Sequence, residues 1–281
     1  MSTDFRRNAF ISFFKPFLAA HDRSVVDVFC YFEVHTPDEV TERIRWQADG
    51  WCTTVGLSDA QVAQRIVDDG IDVLVDLAGH TANNRLKIFT YRPAPVQVTY
   101  LGYFTTTGLA AMDYWLSDNV LTPPDTVERA SETIYRLSRS CLVYQAPNDA
   151  PEVCERPEGG AVIFGSFNDL SKVAPEAVAC WSEVLRRVPG SMLLMKARQL
   201  SDEAEPDTLR ERFALHAVAA DRLIFRSPTP GQAEHRDVLG EVDIARDSMS
   251  RPGRSTTATA RGMGVPVGAV CGTLSGSWPG A

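Results

Sequence analysis

The stretch SDAQVAQRIVDDGIDVLVDLAGHTANNR, residues 58–85, contains one complete helix-to-strand unit followed by a polar loop. Apolar residues at helical spacing after Ser58, a residue type that commonly caps helices, predict a helix over residues 59–69. The run IDVLVDL then predicts a strand over residues 71–77. A helix that leads directly into a strand is typical of a parallel α/β sheet.

The same alternation continues in both directions along the chain. Residues 10–20 have helical spacing, and VVDVFCYF at residues 25–32 predicts a buried strand because it is rich in β-branched and aromatic residues. Prolines and glycines cluster between residues 123 and 160 and indicate a region between domains. The remaining predicted elements are helices over 38–48, 175–187, 204–219, 235–239 and 255–263, and strands over 96–101, 112–117, 162–167, 191–196, 222–225, 242–245 and 265–270.

The length of 281 residues exceeds the roughly 100 to 200 residues of a typical domain. Because the alternation of helix and strand restarts after the proline-rich region, the sequence predicts two Rossmann-like α/β domains, residues 1–155 and 156–281. No internal repeat at periods of roughly 20 to 50 residues is found, so the chain carries no repeat scaffold of its own for extended partners.

Charge and cysteine content exclude several classes of protein. The net charge of −8 lacks the basic excess that nucleic-acid binding needs, so no nucleic-acid partner is expected. The six cysteines lie far apart without a C-x-x-C pair, which predicts reduced thiols and no zinc or redox site. No run reaches the roughly 18 consecutive apolar residues of a membrane span. We therefore expect a cytoplasmic protein without a signal peptide and without a membrane partner.

Two polar loops in the first half follow predicted strands, at the strand ends where open α/β sheets bind ligands. In DLAGHTANNR, residues 76–85, the polar side chains can hold hydroxyls or phosphate, or they can stabilise a turn among themselves. The loop GYFTTTG, residues 102–108, offers N–H groups and threonine hydroxyls to an anion or a sugar, or serves as a plain connector. The candidate side chains of the first loop are Asp76, His80, Asn83, Asn84 and Arg85.

The second half contains two candidates for phosphate binding. FGSFNDLSK, residues 164–172, places Lys172 after a strand and before a helix, where it can neutralise a diphosphate or simply be exposed to solvent. GRSTTATARGMGVP, residues 253–266, begins with a polar turn and continues as a helix, whose free N–H groups favour a diphosphate. Its first hydroxyl side chains can equally act as N-caps. These are Ser255, Thr256 and Thr257.

His235 lies in the charged segment EHRD near a predicted helix start, where it can donate to a phosphate or remain in water. The sequence contains no G-x-S-x-G, no H-E-x-x-H and no clustered Asp, Glu and His with the spacing of metal ligands. Neither a hydrolase of those types nor a metalloenzyme is therefore predicted.

Several of these segments, in this order, resemble the catalytic region of glycosyltransferase family 41, which contains the O-linked N-acetylglucosamine transferases and the Spindly-type fucosyltransferases. The segments are DGIDVLVDLAGHTANNRL, RPAPVQVTYLGYFTTTGLAAMDY, FGSFNDLSKVAPE, RVPGSMLLMK, STT and GMGVPV. The resemblance covers nearly the whole chain and implies a GT-B fold, in which two Rossmann-like domains face a cleft. It also implies inverting transfer of a sugar, usually N-acetylglucosamine, from a uridine diphosphate (UDP) donor to Ser or Thr hydroxyls of proteins, without a metal or other cofactor.

The resemblance also assigns roles to individual positions. Lys172 matches the diphosphate-binding lysine and is expected to be catalytic. His80 matches a histidine that faces the cleft and is also expected to be catalytic, and His235 matches a histidine near the nucleotide. Ser255, Thr256 and Thr257 match a threonine-rich turn at the phosphates and are expected to bind the donor. Asp169 stands where relatives contact the phosphate or uridine, and Thr259 stands where they contact the ribose, so both are also expected to bind the donor.

Some positions depart from the family pattern where chemistry is expected. Asn8 stands where members usually carry histidine, and an amide cannot act as a base near neutral pH. Asp169 replaces Gln or Asn, and Thr259 replaces an acidic residue. The chain is also expected to be truncated, with an incomplete second domain and with the tetratricopeptide repeats of many relatives located elsewhere. The alternative function is therefore a catalytically impaired chain that binds only a nucleotide or a partner chain, and the donor sugar stays open among glucose, N-acetylglucosamine and fucose.

Overall fold

The computed structural model describes residues 1–146, 159–229, 231–247 and 253–269. The chain divides into two compact units, Met1–Gln145 and Ala146–Ala281. The predicted domain boundary at residue 155 lies outside the described residues, as does the last residue of the strand predicted over 265–270. Each unit combines helices with parallel strands, as the alternation in the sequence predicts.

The first unit contains two parallel sheets, with strand orders β1-β2 and β3-β4-β5-β6. The backbone of Met1 and Ser2 lies between them: Ser2 N–H donates to the Tyr31 carbonyl of β1, and the amine of Met1 donates to the Val75 carbonyl of β3. The elements are α1 (Ile11–Ala20), β1 (Phe29–Phe32), α2 (Glu39–Gln47), β2 (Gly50–Thr53), α3 (Asp59–Asp68), β3 (Val73–Asp76), a 3₁₀ helix (Leu86–Tyr91), β4 (Val96–Thr99), β5 (Tyr114–Asp118) and β6 (Thr133–Leu137).

Helix α3 begins at Asp59, as the sequence predicts. Ser58 accepts a hydrogen bond from the Gln61 backbone, and the Gln61 side chain accepts one from Ser58 N–H, so each residue satisfies a free donor at the helix start. Val62 and Ile66 are fully buried and pack in the same cluster as Leu74 of β3. The helix is thereby fixed against the strand whose end carries the polar loop 76–85.

The strand prediction over residues 25–32 is wrong for its first half. The Asp22 carbonyl accepts the N–H groups of Val25 and Val26, and the Asp22 side chain accepts that of Ser24. This local turn removes the backbone groups that a strand needs, and Val25 is left 75% exposed. Regular strand structure starts only at Phe29.

The second unit is a five-stranded parallel sheet with strand order β11-β10-β7-β8-β9. This is the doubly wound order of a Rossmann-like sheet, in which the direction of winding reverses between β7 and β10. Its elements are β7 (Ile163–Ser166), a 3₁₀ helix (Leu170–Lys172), α4 (Pro175–Arg187), β8 (Met192–Lys196), short 3₁₀ helices (Arg198–Ser201 and Ala220–Arg222), α5 (Glu205–Ala214), β9 (Leu223–Arg226), α6 (Gln232–Gly240), β10 (Ile244–Arg246), α7 (Arg254–Gly262) and β11 (Val267–Gly268).

Helices cover both faces of this sheet, which fixes its strands and presents their carboxyl ends at one edge. On one face, Trp181 of α4 and Phe213 of α5 pack in a cluster with Leu193 of β8. Leu194, the next residue of the strand, points to the other face and packs with Leu239 of α6. Because both faces of this sheet are buried by helices, its strands are continuous apolar runs in the sequence.

None of the helices within the described ranges combines the length and the apolar character that a membrane crossing requires.

Candidate functional site

A small pocket lies in the second unit between the carboxyl ends of β7 and β10, where the sheet changes its direction of winding. Its enclosed part is only about 10 Å³, and the rest of the pocket is open to solvent. The N-terminus of α7 faces the pocket through Thr256 and Thr257. Free N–H groups and the dipole of a helix N-terminus favour an anion. The other lining residues include Gly165, Phe167, Asn168 and Asp247.

Asp247 holds this pocket together. Its buried carboxylate accepts hydrogen bonds from Gly253 N–H at 2.8 and 3.0 Å and from the Thr257 hydroxyl at 2.9 Å. The Asn168 amide, from the loop after β7, donates to the same carboxylate at 3.0 Å. One side chain therefore ties the start of α7 to both strands that border the pocket.

The predicted hydroxyl residues of α7 have different positions. Thr256 is half-buried and lines the pocket, whereas the Thr257 hydroxyl is directed to Asp247. The Thr259 hydroxyl donates to the Ser255 carbonyl at 2.8 Å, within the helix, and neither of these two residues lines the pocket. Among the four, Thr256 is the best placed to meet a ligand.

Lys172 and Asp169 belong to the loop that follows β7. Asp169 caps the short 3₁₀ helix Leu170–Lys172 by accepting from Ser171 N–H at 3.0 Å, and it also accepts from the Gln199 amide. The hydrogen bonds from Ser171 and then Gln199 hold the pKa of Asp169 below its usual value. The half-buried Lys172 ends this helix, so a carboxylate with an internal role precedes the predicted diphosphate-binding lysine.

His235 lies on α6, and its ring meets the ring of Phe167 edge-on with the centroids 5.6 Å apart. Phe167 lines the pocket, so His235 contacts one of the residues that form it. Burial, followed by the charges of Lys196 and Arg236, lowers the pKa of His235 to about 4. The ring is neutral at physiological pH, with one nitrogen as donor and the other as acceptor. Because the folded protein binds this proton less readily than the unfolded chain does, neutral His235 contributes its full free energy of stabilisation above the ordinary histidine pKa of about 6.5. That contribution decreases as the pH falls towards 4.

Lys196, the last residue of β8, is a feature that the sequence interpretation missed. The residue is 5% exposed, and its ammonium donates to the Thr229 hydroxyl at 2.8 Å. Burial lowers its pKa, and the charges of Glu234 and Glu241 oppose this effect. A lysine at the end of the apolar run MLLM is the sequence signal that could have identified it.

Replacing Lys196 with Met should raise the pKa of His235 above its present value of about 4, because a positive charge beside the ring is removed. The pKa should stay below the usual 6.5, because burial is the larger cause. A pH titration of the histidine ring protons by NMR measures both values. Lys87→Met, which changes an exposed lysine of the other unit, is the control. An unchanged His235 pKa in Lys196→Met would contradict this electrostatic coupling.

His80 lies in the first unit, in the loop after β3, and is exposed. Its Nε2 is 2.8 Å from the Thr107 carbonyl oxygen, and its ring meets the Tyr103 ring edge-on at 5.4 Å. The structure thus brings together the two polar loops, 76–85 and 102–108. They were separate candidates in the sequence.

Other polar residues of loop 76–85 have internal partners, as the turn interpretation predicts. Arg85 forms ion pairs with Glu33 at 2.6 Å and with Asp59 at 2.8 Å. The Asn84 amide donates to the Thr81 carbonyl, and buried Asp76 accepts from two backbone N–H groups of the loop. These side chains shape the loop, whereas His80 and Asn83 are exposed at its surface.

Asn8, the position where relatives usually carry histidine, is exposed near the start of α1. Its amide donates to the Asp4 carboxylate at 2.8 Å, and its carbonyl oxygen accepts from Phe10 N–H at 3.2 Å. Both polar atoms of the side chain therefore have local structural partners. Within the described residues, no group of three or more His, Cys, Asp or Glu side chains is arranged to hold a metal ion.

Comparison with known proteins decides the family. The sequence matches Glycosyl transferase family 41 over residues 1–156 and 150–275. The chain belongs to this glycosyltransferase family. It is 34% identical, over 99% of its length, to a protein of Arabidopsis thaliana named probable UDP-N-acetylglucosamine–peptide N-acetylglucosaminyltransferase SPINDLY. This family 41 chain spans only 30% of the length of that relative. It is 30% identical to a second Arabidopsis relative, SEC, and spans 28% of that protein's length.

Solved structures confirm the fold class of this family 41 chain. A K341M mutant of the Thermobaculum terrenum O-GlcNAc transferase matches with a TM-score of 0.91 and 36% identity, covering 98% of this chain and 52% of that one. The lipopolysaccharide outer core galactosyltransferase WaaB matches with a TM-score of 0.61 at 11% identity, which supports the fold alone. The α/β fold of GT-B type, with Rossmann-like parallel sheets, is thereby confirmed.

Proposed function

We propose that this chain is the catalytic region of an inverting transferase that moves N-acetylglucosamine from UDP to Ser or Thr hydroxyls of proteins. One observation carries the proposal: in a family 41 chain, the N-terminus of α7 opens onto a pocket at the switch point of the second sheet. Its relatives bear names that specify a UDP-N-acetylglucosamine donor and a peptide acceptor. The donor's diphosphate would lie at this helix N-terminus.

The proposed reaction is a single displacement at the sugar. The acceptor oxygen forms a bond to the anomeric carbon while the bond from that carbon to the diphosphate oxygen breaks, and the hydroxyl proton passes to a base. UDP leaves with the bonding electrons, so negative charge grows on the diphosphate. The α7 dipole, Thr256 and Lys172 would stabilise that charge, and neutral His235 would donate a hydrogen bond to the nucleotide.

The ammonium of Lys172, the α7 dipole and the hydrogen-bond donors would supply the electrostatic stabilisation that a metal ion supplies in other transferases, so we propose a donor site that needs no resident metal. We also propose a protein acceptor, with any tetratricopeptide-repeat region in another part of the polypeptide or on another chain. The compartment we propose is the cytoplasm. Cys30, Cys52 and Cys180, which belong to the described residues, are free thiols, as expected in a reducing compartment.

Transfer of radiolabelled sugar tests this proposal. Incubation of the full chain with UDP-N-acetylglucosamine labelled in the sugar, and with Ser- and Thr-rich peptides, should give labelled peptide from which base-catalysed β-elimination releases the sugar. UDP-glucose and GDP-fucose, assayed in parallel, identify the preferred donor. The proposal fails if UDP binds to the chain and no donor is either transferred or hydrolysed.

Asn8 favours a second candidate function, a catalytically impaired chain that binds only a nucleotide or a partner chain. An amide whose two polar atoms are held by Asp4 and Phe10 N–H offers no base. Calorimetry with UDP separates the candidates, because binding without transfer supports this second function. Replacing Asn8 with His should then raise the transfer rate.

A further inference from the structure

Buried Glu132, one residue before β6, is connected to His80 through the loop 102–108. The residue is 6% exposed, and its carboxylate accepts from Thr107 N–H at 2.7 Å, from the Thr107 hydroxyl, and from the Thr106 hydroxyl at 2.7 Å. The carbonyl of the same Thr107 accepts from the His80 ring. Glu132 and His80 therefore lie at the two ends of one hydrogen-bonded path.

Glu132 is an acceptor in all of these contacts. Burial opposes its ionisation, yet the hydrogen bonds from Thr107 and Thr106 hold the pKa of Glu132 below its ordinary value. The Thr106 hydroxyl, in turn, accepts from Gly108 N–H at 3.0 Å and from Ser131 N–H at 3.1 Å. The carboxylate thus fixes the backbone of residues 106–108, and with it the direction of the Thr107 carbonyl.

The carbonyl contact determines which ring nitrogen of His80 carries the proton. A carbonyl oxygen can only accept a hydrogen bond, so Nε2 must be the donor and Nδ1 of the neutral ring keeps its lone pair. Within residues 1–146, no hydrogen bond occupies Nδ1 of this exposed ring. Nδ1 is therefore the atom that an incoming hydroxyl can meet, as a hydrogen-bond acceptor.

The backbone of His80 is held independently of this path. Gly79, at φ +53°, lies so close to Tyr103 that a Cβ atom would come within 2.1 Å of the tyrosine Cβ. Asp76 also accepts from Gly79 N–H at 2.8 Å. Since the backbone is fixed from this side, the ring's rotation and tautomer are what the Thr107 carbonyl controls.

We propose that Glu132 is a positioning residue: through Thr106 and Thr107 it holds His80 as the Nε2–H tautomer and aims Nδ1 at a substrate hydroxyl. This inference rests on the proposed transferase function for the identity of the hydroxyl, a sugar or acceptor hydroxyl. The geometry of the path does not depend on that function. Substitution of Glu132 should therefore change the state of the His80 ring in the absence of any substrate.

NMR of the full chain with ¹⁵N-labelled histidine tests the path without an activity assay. The chain has five histidines, and His80→Gln identifies the His80 signals. At pH 8.5, His80 should show a protonated Nε2 and an unprotonated Nδ1. In Glu132→Ala, the Nε2–H proton should exchange with water about 3- to 10-fold faster, the change expected for the loss of one ordinary hydrogen bond.

Two further variants keep the test decisive if Glu132→Ala folds poorly. Glu132→Gln retains an acceptor oxygen and should restore most of the protection, and Thr107→Val removes only the hydroxyl contact and should give a smaller change. Asp125→Ala, an exposed carboxylate of the preceding loop, is the matched control and should leave the ring signals unchanged. A protonated Nδ1 in the unmodified chain, or equal exchange in Glu132→Ala and the control, overturns the proposal.

Kinetics then separate this inference from the proposed function. Glu132→Ala should lower kcat for sugar transfer with little change in KM for the donor, and Glu132→Gln should recover much of the loss. A chain with the expected ring state and no transferase activity leaves Glu132 as the positioning residue of His80 and removes the proposed function. An active chain in which Glu132→Ala changes neither the ring nor kcat retains the function and removes the positioning role.

Discussion

Lys172→Met should reduce kcat for sugar transfer by about 100- to 1,000-fold, the usual cost of removing one group that stabilises charge in the transition state. Lys172 follows β7, the strand that borders the pocket in front of α7. Methionine keeps most of the apolar stem and removes the ammonium, so the loss can be assigned to charge. Because charge on the diphosphate grows as the bond breaks, kcat should fall more than UDP affinity.

Steady-state kinetics with labelled donor, together with calorimetry of UDP, measure these two effects separately. Lys87→Met is the matched control, since Lys87 is an exposed lysine on the 3₁₀ helix of the first unit. Equal kcat values for Lys172→Met and the control would remove Lys172 from the proposed mechanism. A loss confined to KM would instead assign Lys172 to ground-state binding.

Asp247→Ala should lower the free energy of unfolding by about 3–5 kcal/mol, because three buried donor groups lose their acceptor at a cost of roughly 1–3 kcal/mol each. These donors are Gly253 N–H, the Thr257 hydroxyl and the Asn168 amide. The same change releases the N-terminus of α7 from the strand ends, so UDP affinity should fall as well. Asp247→Asn retains one carbonyl oxygen in a side chain of similar shape. Its free energy of unfolding should therefore lie between those of the unmodified chain and Asp247→Ala.

Urea unfolding followed by circular dichroism gives the stability change, and hydrogen exchange of peptides covering residues 253–262 shows whether the opening is centred on α7. Asp221→Ala removes an exposed carboxylate of the same unit and should change stability by less than about 0.5 kcal/mol. If Asp247→Ala retains both its stability and the protection of α7, Asp247 does not organise the pocket.

The fold could be predicted from the sequence where local signals and packing agree. The helix over residues 175–187 agrees in full with α4, and Ser58 caps α3 as predicted. The helix predicted over 204–219 ends earlier, at Ala214, because Ala217 adopts φ +59° and Val218 N–H turns back to the Phe213 carbonyl.

The strands β2 and β6 were not predicted from the sequence. Both are short, at four and five residues, and neither contains a fully buried residue that would give an apolar run. Their pairing depends on neighbouring strands, which local patterns do not report.

The site was predicted in part, for reasons that are also physical. Lys172 follows a strand and Thr256 lies in the first turn of a helix, and sequence patterns can identify both kinds of position. Asp247, Glu132 and Lys196 were missed, since their roles depend on partners far away in the chain. Asp247 is 79 residues from Asn168, Glu132 is 25 from Thr107, and Lys196 is 33 from Thr229. The roles assigned to the predicted site residues stay predictions until the variants above are measured.

The strand order of the second sheet also has a consequence for the order of folding. The central strand β7 pairs with β8, the next strand in the chain, and with β10, where Phe164 lies opposite Ile244. Local helix–strand units can form early, whereas the pairing of β7 with β10 must wait for the loop of intervening chain to close. On the ribosome, the pocket cannot exist until β10 and the first turn of α7 have emerged. A nascent chain therefore acquires the geometry of this pocket only after most of the sheet has been synthesised.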